Sequence, residues 1–232
     1  MKENFIEIKH VKKEYPMGTN KFVALKDIDL NFSEGEFTGI VGPSGSGKTT
    51  LLNIIGSLDS QSEGEVIVLG YEVADLSSSK SARMRSENIG FIFQTYNLLP
   101  VYTVFENVEF PLLLLRINKN ERIKLVTEAL KWVGLLDKIK SRPSQISGGE
   151  CQRVAIARAI VKKPKLVLAD EPTANLDADN SHNILKTMKK INEETGTTFI
   201  FATHDAKVIK YLKRKITLLD GSVAKDELVN GG

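Results

Sequence analysis

Gly42-Pro43-Ser44-Gly45-Ser46-Gly47-Lys48-Thr49 decides how the rest of the chain is read. Its spacing, a glycine, four residues, then Gly-Lys-Thr, is that of a phosphate-binding loop. Before it, Glu36-Phe37-Thr38-Gly39-Ile40-Val41 is short and apolar enough for a buried strand, and after it Thr50-Leu51-Leu52-Asn53-Ile54-Ile55 continues as helix. Strand, loop and helix in that order are the context the pattern requires. The glycines let successive backbone N–H groups turn inward at a helix N-terminus, where an anion is favoured. Gly42, Pro43, Ser44, Gly45, Ser46, Gly47, Lys48, Thr49 and Thr50 are therefore the expected phosphate contacts. Lys48 supplies charge to the outer phosphates, and the Thr49 hydroxyl is suited to a bridging Mg2+. The implied ligand is a magnesium–nucleoside triphosphate.

A second group of residues complements the loop. Leu166-Val167-Leu168-Ala169-Asp170-Glu171 is an apolar strand ending in two acids, at the edge where open parallel sheets bind ligands. It resembles a Walker B motif, with Asp170 holding the metal and Glu171 taking a proton from the attacking water. Ile146-Ser147-Gly148-Gly149-Glu150-Cys151-Gln152-Arg153 then opens a helix expected to run to about Lys162. Ser147 is its N-cap, and Gly148 and Gly149 leave the amides open to an anion. Ser147 and Glu150 also form the pattern of a capping box, so Glu150 is expected to turn back onto the backbone of Ser147.

The last stretch resembles the LSGGQ signature of the ATP-binding cassette (ABC) ATPases, with Ile146 in place of Leu and Glu150 in place of Gln. The resemblance extends from Tyr15 to His204. It implies that Tyr15 stacks on adenine, that Gln94 senses the magnesium and attacking water, and that His204 contacts the terminal phosphate. It also implies that Asn175 and Asp177 face a second subunit, and that Ser147, Gly148, Gly149 and Glu150 contact ATP. Lys48, Gln94, Glu171 and His204 would be the catalytic set, and Thr49, Gln94 and Asp170 the metal set. The implied cofactors are ATP and Mg2+. The implied fold is α/β: a P-loop NTPase (RecA-like) core with a mostly parallel sheet, an N-terminal antiparallel β subdomain and an inserted α-helical subdomain. In numbers this is a single domain over 1–232, with about 1–94 and 164–232 as core and about 95–163 as the helical subdomain.

Each site in such a family joins the loop of one subunit to the signature of another, which implies an ATP-bound homodimer and separate transmembrane permease subunits. Tyr96, Leu98, Leu99 and Phe105 are candidates for the permease groove, with packing onto the sheet as the competing reading. Asn97-Leu98-Leu99-Pro100, Glu106-Asn107-Val108 and the run from Glu150 to Ala159 resemble the lipoprotein-releasing and macrolide- or peptide-exporting branch. The resemblance places the chain in the cytoplasm, peripheral on the inner face of the membrane through its permease. An ATPase regulating cell-envelope enzymes through a non-transporting membrane partner would look the same in sequence.

Composition sets the outer bounds. In 232 residues, 32 Lys and Arg against 29 Asp and Glu leave a net charge of +3, with both signs interspersed, so no nucleic-acid partner is expected. The run Lys207, Lys210, Lys213, Arg214, Lys215 reads as a solvated helix face. The one cysteine, Cys151, excludes an internal disulfide. Met1-Lys2-Glu3-Asn4 shows no secretory signal core. Pro111-Leu112-Leu113-Leu114-Leu115 falls far short of the roughly 20 residues that cross a bilayer.

The remaining pattern is alternation or helical spacing. Ile6 and Ile8, then Ile28, Leu30 and Phe32, alternate as half-buried strands, with a turn expected at Tyr15-Pro16-Met17-Gly18. Glu65–Leu69 and Ile89–Phe93 read as further strands. Asn118 caps, and Gly134 stops, a helix carrying Ile123, Val126, Leu130 and Val133. Phe199–Ala202 reads as a central strand, preceded by a helix from about Asp179 to Glu194. Ile216–Leu219, Asp220-Gly221 and Ser222-Val223 read as strand, tight turn and strand. Asn118-Lys119-Asn120-Glu121 approaches a guanine-reading motif but begins a helix and ends in Glu, which argues against a GTPase. A small-molecule phosphotransferase would have no use for Glu171 or for the signature helix.

Overall fold

Ile6 and Ile8 on β1 (Ile6–Met17), and Ile28, Leu30 and Phe32 on β2 (Asn20–Phe32), are all buried, as alternation predicts. The computed structural model describes residues 5–229, so the reading of Met1–Asn4 lies outside the described residues. The two strands form an antiparallel hairpin with Met17 opposite Asn20. The turn expected at Tyr15–Gly18 is therefore displaced: Tyr15, Pro16 and Met17 stay in strand, and Gly18 takes the left-handed φ of 61°. The cause lies on the other side of β1. There β4 (Glu63–Val68) pairs only as far as Lys12, so Pro16 has a free edge and its missing N–H breaks no ladder bond.

The phosphate-loop strand β3 (Phe37–Val41) is the centre of the second half of the sheet. It lies between β8 (Thr198–Thr203) and β9 (Arg214–Leu219), with β7 (Leu166–Asp170) and β6 (Ile89–Ile92) beyond β8, all parallel. Strand β10 (Ser222–Leu228) returns antiparallel to β9 through Asp220 and Gly221, both left-handed with φ 45° and 76°. One pairing, Ser222 with Asp27, joins it to β2 and so to the antiparallel half, which ends in β5 (Tyr71–Glu72).

Side chains alternate between two layers. Phe37, Val167, Ala169, Phe199 and Phe201 face helices α3 (Val104–Leu114), α4 (Lys119–Trp132), α5 (Gly148–Ile160) and α6 (Ala178–Thr195). Ile40, Leu166, Leu168, Ile200 and Ala202 face α1 (Lys48–Ile55), α2 (Ser78–Asn88) and the antiparallel strands. The sheet is thus covered on both faces, which is why its parallel strands read as continuous apolar runs. Asn118 caps α4 by accepting the Glu121 N–H at 3.0 Å, and Gly134 follows with φ 66°.

Two further features differ from the sequence reading. The basic run is not one helix face: Lys207 lies in the short α7 (Ala206–Ile209), but Arg214 and Lys215 are strand residues of β9. Arg214 clasps Asp226 at 2.9 and 2.7 Å and reaches Glu36 at 3.1 Å, while Lys215 meets Glu227 at 2.7 Å. The antiparallel return of β10 brings acids to the cations that sequence alone leaves unpaired. Helix α2 has no counterpart in the sequence reading, because its described buried residues are only Ser81 and Met84 and no apolar period forms.

Candidate active site

The Gly-rich loop leaves β3 at the sheet's C-terminal edge and turns directly into α1. Gly45 and Gly47 adopt left-handed φ values of 82° and 100°. A Cβ on Gly47 would lie 2.7 Å from the Ala24 carbonyl oxygen, and one on Gly42 only 2.1 Å from that of Leu218, so neither position admits a side chain. The loop therefore folds tightly over β2 and β9. Lys48, 6% exposed, donates to the carbonyls of Gly42 at 2.9 Å and Pro43 at 2.8 Å, which holds its ammonium at the mouth of the loop. The buried Ser46 hydroxyl has no protein partner. A buried donor of this kind, among close-packed glycines, fits a bound phosphate oxygen.

Thr49 lies beside the acid pair at the end of β7. Its hydroxyl donates to Asp170 at 3.1 and 3.2 Å. Burial pushes the Asp170 carboxyl up, the Glu171 charge adds to this, and the Thr49 hydrogen bond opposes it. A hydroxyl and a carboxylate in contact form a hard oxygen donor set, which fits Mg2+.

Glu171 has a left-handed φ of 45° and is fixed by its N–H donating to the Ala202 carbonyl at 2.8 Å. A non-glycine residue in that region is strained, and such strain gathers at working sites. Its carboxylate accepts the Thr203 hydroxyl at 2.9 Å and the His204 N–H at 3.1 Å, with His204 Nδ1 at 2.5 Å. Glu171 is 12% exposed and His204 60%, so an enclosed carboxylate is paired with an accessible imidazole. Thr203 was missed by sequence reading; as the end of a strand it carried no signal of its own.

Gln94 is exposed beyond β6, and its carbonyl accepts the Asn175 side-chain amide at 2.8 Å, which joins two loops at the same edge. Asp177 caps α6, accepting the Asn180 N–H at 2.9 Å. Tyr15 is half-buried, and its hydroxyl donates to Asp59 at 2.8 Å.

The capping box at α5 forms as expected: Glu150 accepts the Ser147 N–H at 2.7 Å, and Ser147 accepts that of Glu150 at 3.2 Å. The Glu150 carboxylate, set among the nucleotide contacts by resemblance, is thus engaged in its own helix's cap. Ser147 and Gly148 are exposed, but Gly149 is covered, with Asn180 atoms 2.8 Å from where its Cβ would be. Gly149 therefore serves close packing between α5 and α6, and the open part of this helix end is smaller than the sequence implied. Of the groove candidates, Leu98 and Phe105 pack on the core, Tyr96 is half-buried, and Leu99 is exposed. Val101 beside them, 72% exposed, was not singled out. Among the described residues no helix is long and apolar enough to cross a membrane.

Comparison with known proteins gives the family. The ABC transporter family profile matches residues 25–174. An ABC transporter ATP-binding protein of Methanocaldococcus jannaschii, MJ0796, is 45% identical over 230 residues, covering 97% of this chain and 98% of that one. The lipoprotein-releasing system ATP-binding protein LolD of Francisella tularensis is 43% identical over 224 residues, covering 96% and 97%. The dimeric structure of a post-hydrolysis state of the MJ0796 cassette, bound to ADP and Pi, superposes with a TM-score of 0.90 at 44% identity over 98% of this chain and 100% of that one. The chain belongs to the ABC transporter family, as one of its ATP-binding, ATP-hydrolysing cassettes.

Proposed function

We propose that two copies of this chain close on ATP, each completing the other's site, and so drive separate transmembrane permease subunits that export or extract lipoprotein, peptide or antibiotic. One observation carries the pairing. Helix α5 precedes a parallel strand, so its capped end and the phosphate loop lie at the same edge of the sheet. That end stands beside the loops that follow β6 and β7, two to three strand spacings from β3. Helix α1, which carries the loop, packs on one face of the sheet and α5 on the other, so within a single copy the two ends do not converge on one phosphate. A second copy supplies the missing half, as a two-fold axis does for both sites at once.

Within each site the loop amides and Lys48 bind the phosphates. Thr49 and Asp170 would hold Mg2+, which on binding neutralises charge between the outer phosphates. Glu171, oriented by Thr203 and His204, takes the proton from water as it attacks the terminal phosphorus, and His204 faces the phosphate released. Tyr15 offers its ring to adenine. The exposed Ser147 end of α5 directs its positive dipole at the partner's nucleotide, so loss of the terminal phosphate loosens the pair. Leu99 and Val101 offer apolar contact to a permease at the inner face of the membrane. The identity of LolD over nearly the whole chain supports this branch.

The test is complementation. Lys48→Ala disables the loop, and Ser147→Asp keeps a cap but places a carboxylate where the phosphate would dock. Each variant alone should be inactive. Mixed in equal amounts, half the dimers pair one variant with the other and hold one intact site, which restores about a quarter of wild-type turnover. A mixture as inactive as its components would refute sites shared between copies.

A further inference from the structure

The strongest unassigned cluster is a network behind Tyr15. Its hydroxyl donates to one Asp59 oxygen at 2.8 Å, and the other oxygen accepts Lys13 Nζ at 2.6 Å and the Ser60 N–H at 2.8 Å. Lys13 also donates to the Ser60 carbonyl at 2.6 Å, and its side chain is only 11% exposed. Its ammonium lies over the Tyr15 ring, 4.8 Å from the centroid. Asp59 follows the C-terminal end of α1, and its own N–H is hydrogen-bonded to the Asn53 carbonyl at 3.3 Å. The network therefore ties β1 to the helix that begins at the phosphate loop.

We propose that Asp59, clamped by Lys13, is a positioning residue that fixes the Tyr15 ring as a preformed platform for adenine. The inference deepens the reading of Tyr15 as the base contact and rests on it. Lys13 covers one face of the ring by a cation–π contact, which leaves the opposite face for a flat base. The hydroxyl tether removes rotation that a half-exposed tyrosine would otherwise lose only when the base arrives, and that loss weakens binding. Burial works to raise the Asp59 carboxyl, but the Lys13 and Tyr15 hydrogen bonds outweigh it and hold it below the ordinary range, so the tether stays charged at neutral pH. Burial, with Asp59 beside it, pushes the Tyr15 phenol up, so it remains a donor.

The experiment compares Mg-ATP with magnesium tripolyphosphate, which has the phosphates and no base, by isothermal titration calorimetry. Tyr15→Phe and Asp59→Ala should each raise the ATP Kd about two- to tenfold, the span expected for ordering one side chain. The tripolyphosphate Kd should not move. The double variant should bind ATP no more weakly than either single one, since both remove the same tether. Tyr15→Phe keeps the ring and carries the test if Asp59→Ala does not fold. Unchanged ATP affinity in Tyr15→Ala would end the platform reading itself. Weakening by Tyr15→Ala but not by Tyr15→Phe or Asp59→Ala would leave the platform and overturn the positioning role. Equal weakening of tripolyphosphate would make Asp59 a support of the phosphate loop and overturn it as well.

Discussion

Replacing Glu171 with Gln should stop turnover while sparing both the fold and ATP binding. The carboxylate accepts two hydrogen bonds, from Thr203 Oγ1 and the His204 N–H, and faces His204 Nδ1. A Gln amide of the same shape retains one acceptor and presents an NH2 that can donate to the Thr203 hydroxyl or the imidazole. The net loss is of the order of one hydrogen bond, about 1 kcal/mol, or about 2–4 °C in Tm for a chain of this size. The chemical loss is far larger. An amide cannot take the proton of the attacking water, and removing a positioned base costs about 100- to 10,000-fold. At 1.36 kcal/mol per decade this adds about 2.7–5.4 kcal/mol to the barrier. Phosphate release at saturating ATP, measured beside the ATP Kd and Tm, separates the two effects. The same variant should accumulate as an ATP-bound dimer by light scattering. A kcat within about threefold of wild type, with Kd and Tm unchanged, would remove Glu171 from its role as base.

Three further outcomes follow from other contacts. Lys48→Met removes a buried ammonium from the loop mouth and should weaken ATP binding about 10- to 150-fold, the range for a charged hydrogen bond, in a direct titration. Glu150→Gln should preserve the capping box and Tm, whereas Glu150→Ala should cost about 0.3–1.5 kcal/mol by thermal melting. The hydrogen bond from the Ser147 N–H holds the Glu150 carboxyl low in the fold, so its contribution is present above the unfolded carboxylate pKa and disappears as pH falls through the folded one. The gap in Tm between wild type and Glu150→Ala should therefore narrow in acid; a gap constant down to strong acid would contradict the cap. Leu99→Asp with Val101→Asp should abolish co-purification of a membrane permease while leaving basal ATPase activity intact, because neither side chain is buried. Retention of the permease would move the docking surface elsewhere.

What could be read in advance was what the chain builds from near neighbours. The phosphate loop, the acids closing β7 and the Ser147–Glu150 box each specify geometry within a few residues, and they stand where spacing placed them. What could not be read is produced by partners far along the chain. Pro16 stays in strand because β4 stops at Lys12, and Arg214 finds Asp226 only once β10 folds back. Gly149 is small because Asn180, on another helix, presses against it. The Lys13–Asp59 clamp spans 46 positions and consists of two ordinary charged residues, so no local pattern could mark it. The same division separates binding from coupling. Residues that grip phosphate must be close in sequence, since backbone amides of one loop do the work. Residues that hold the Glu171 carboxylate come from strand ends brought together by the sheet, as Thr203 and His204 reach it across the β7–β8 pairing. A change in how those strand ends meet can therefore alter hydrolysis while leaving the phosphate grip untouched, and this is the property a cassette needs if ATP is to be held through closure and cleaved only afterwards.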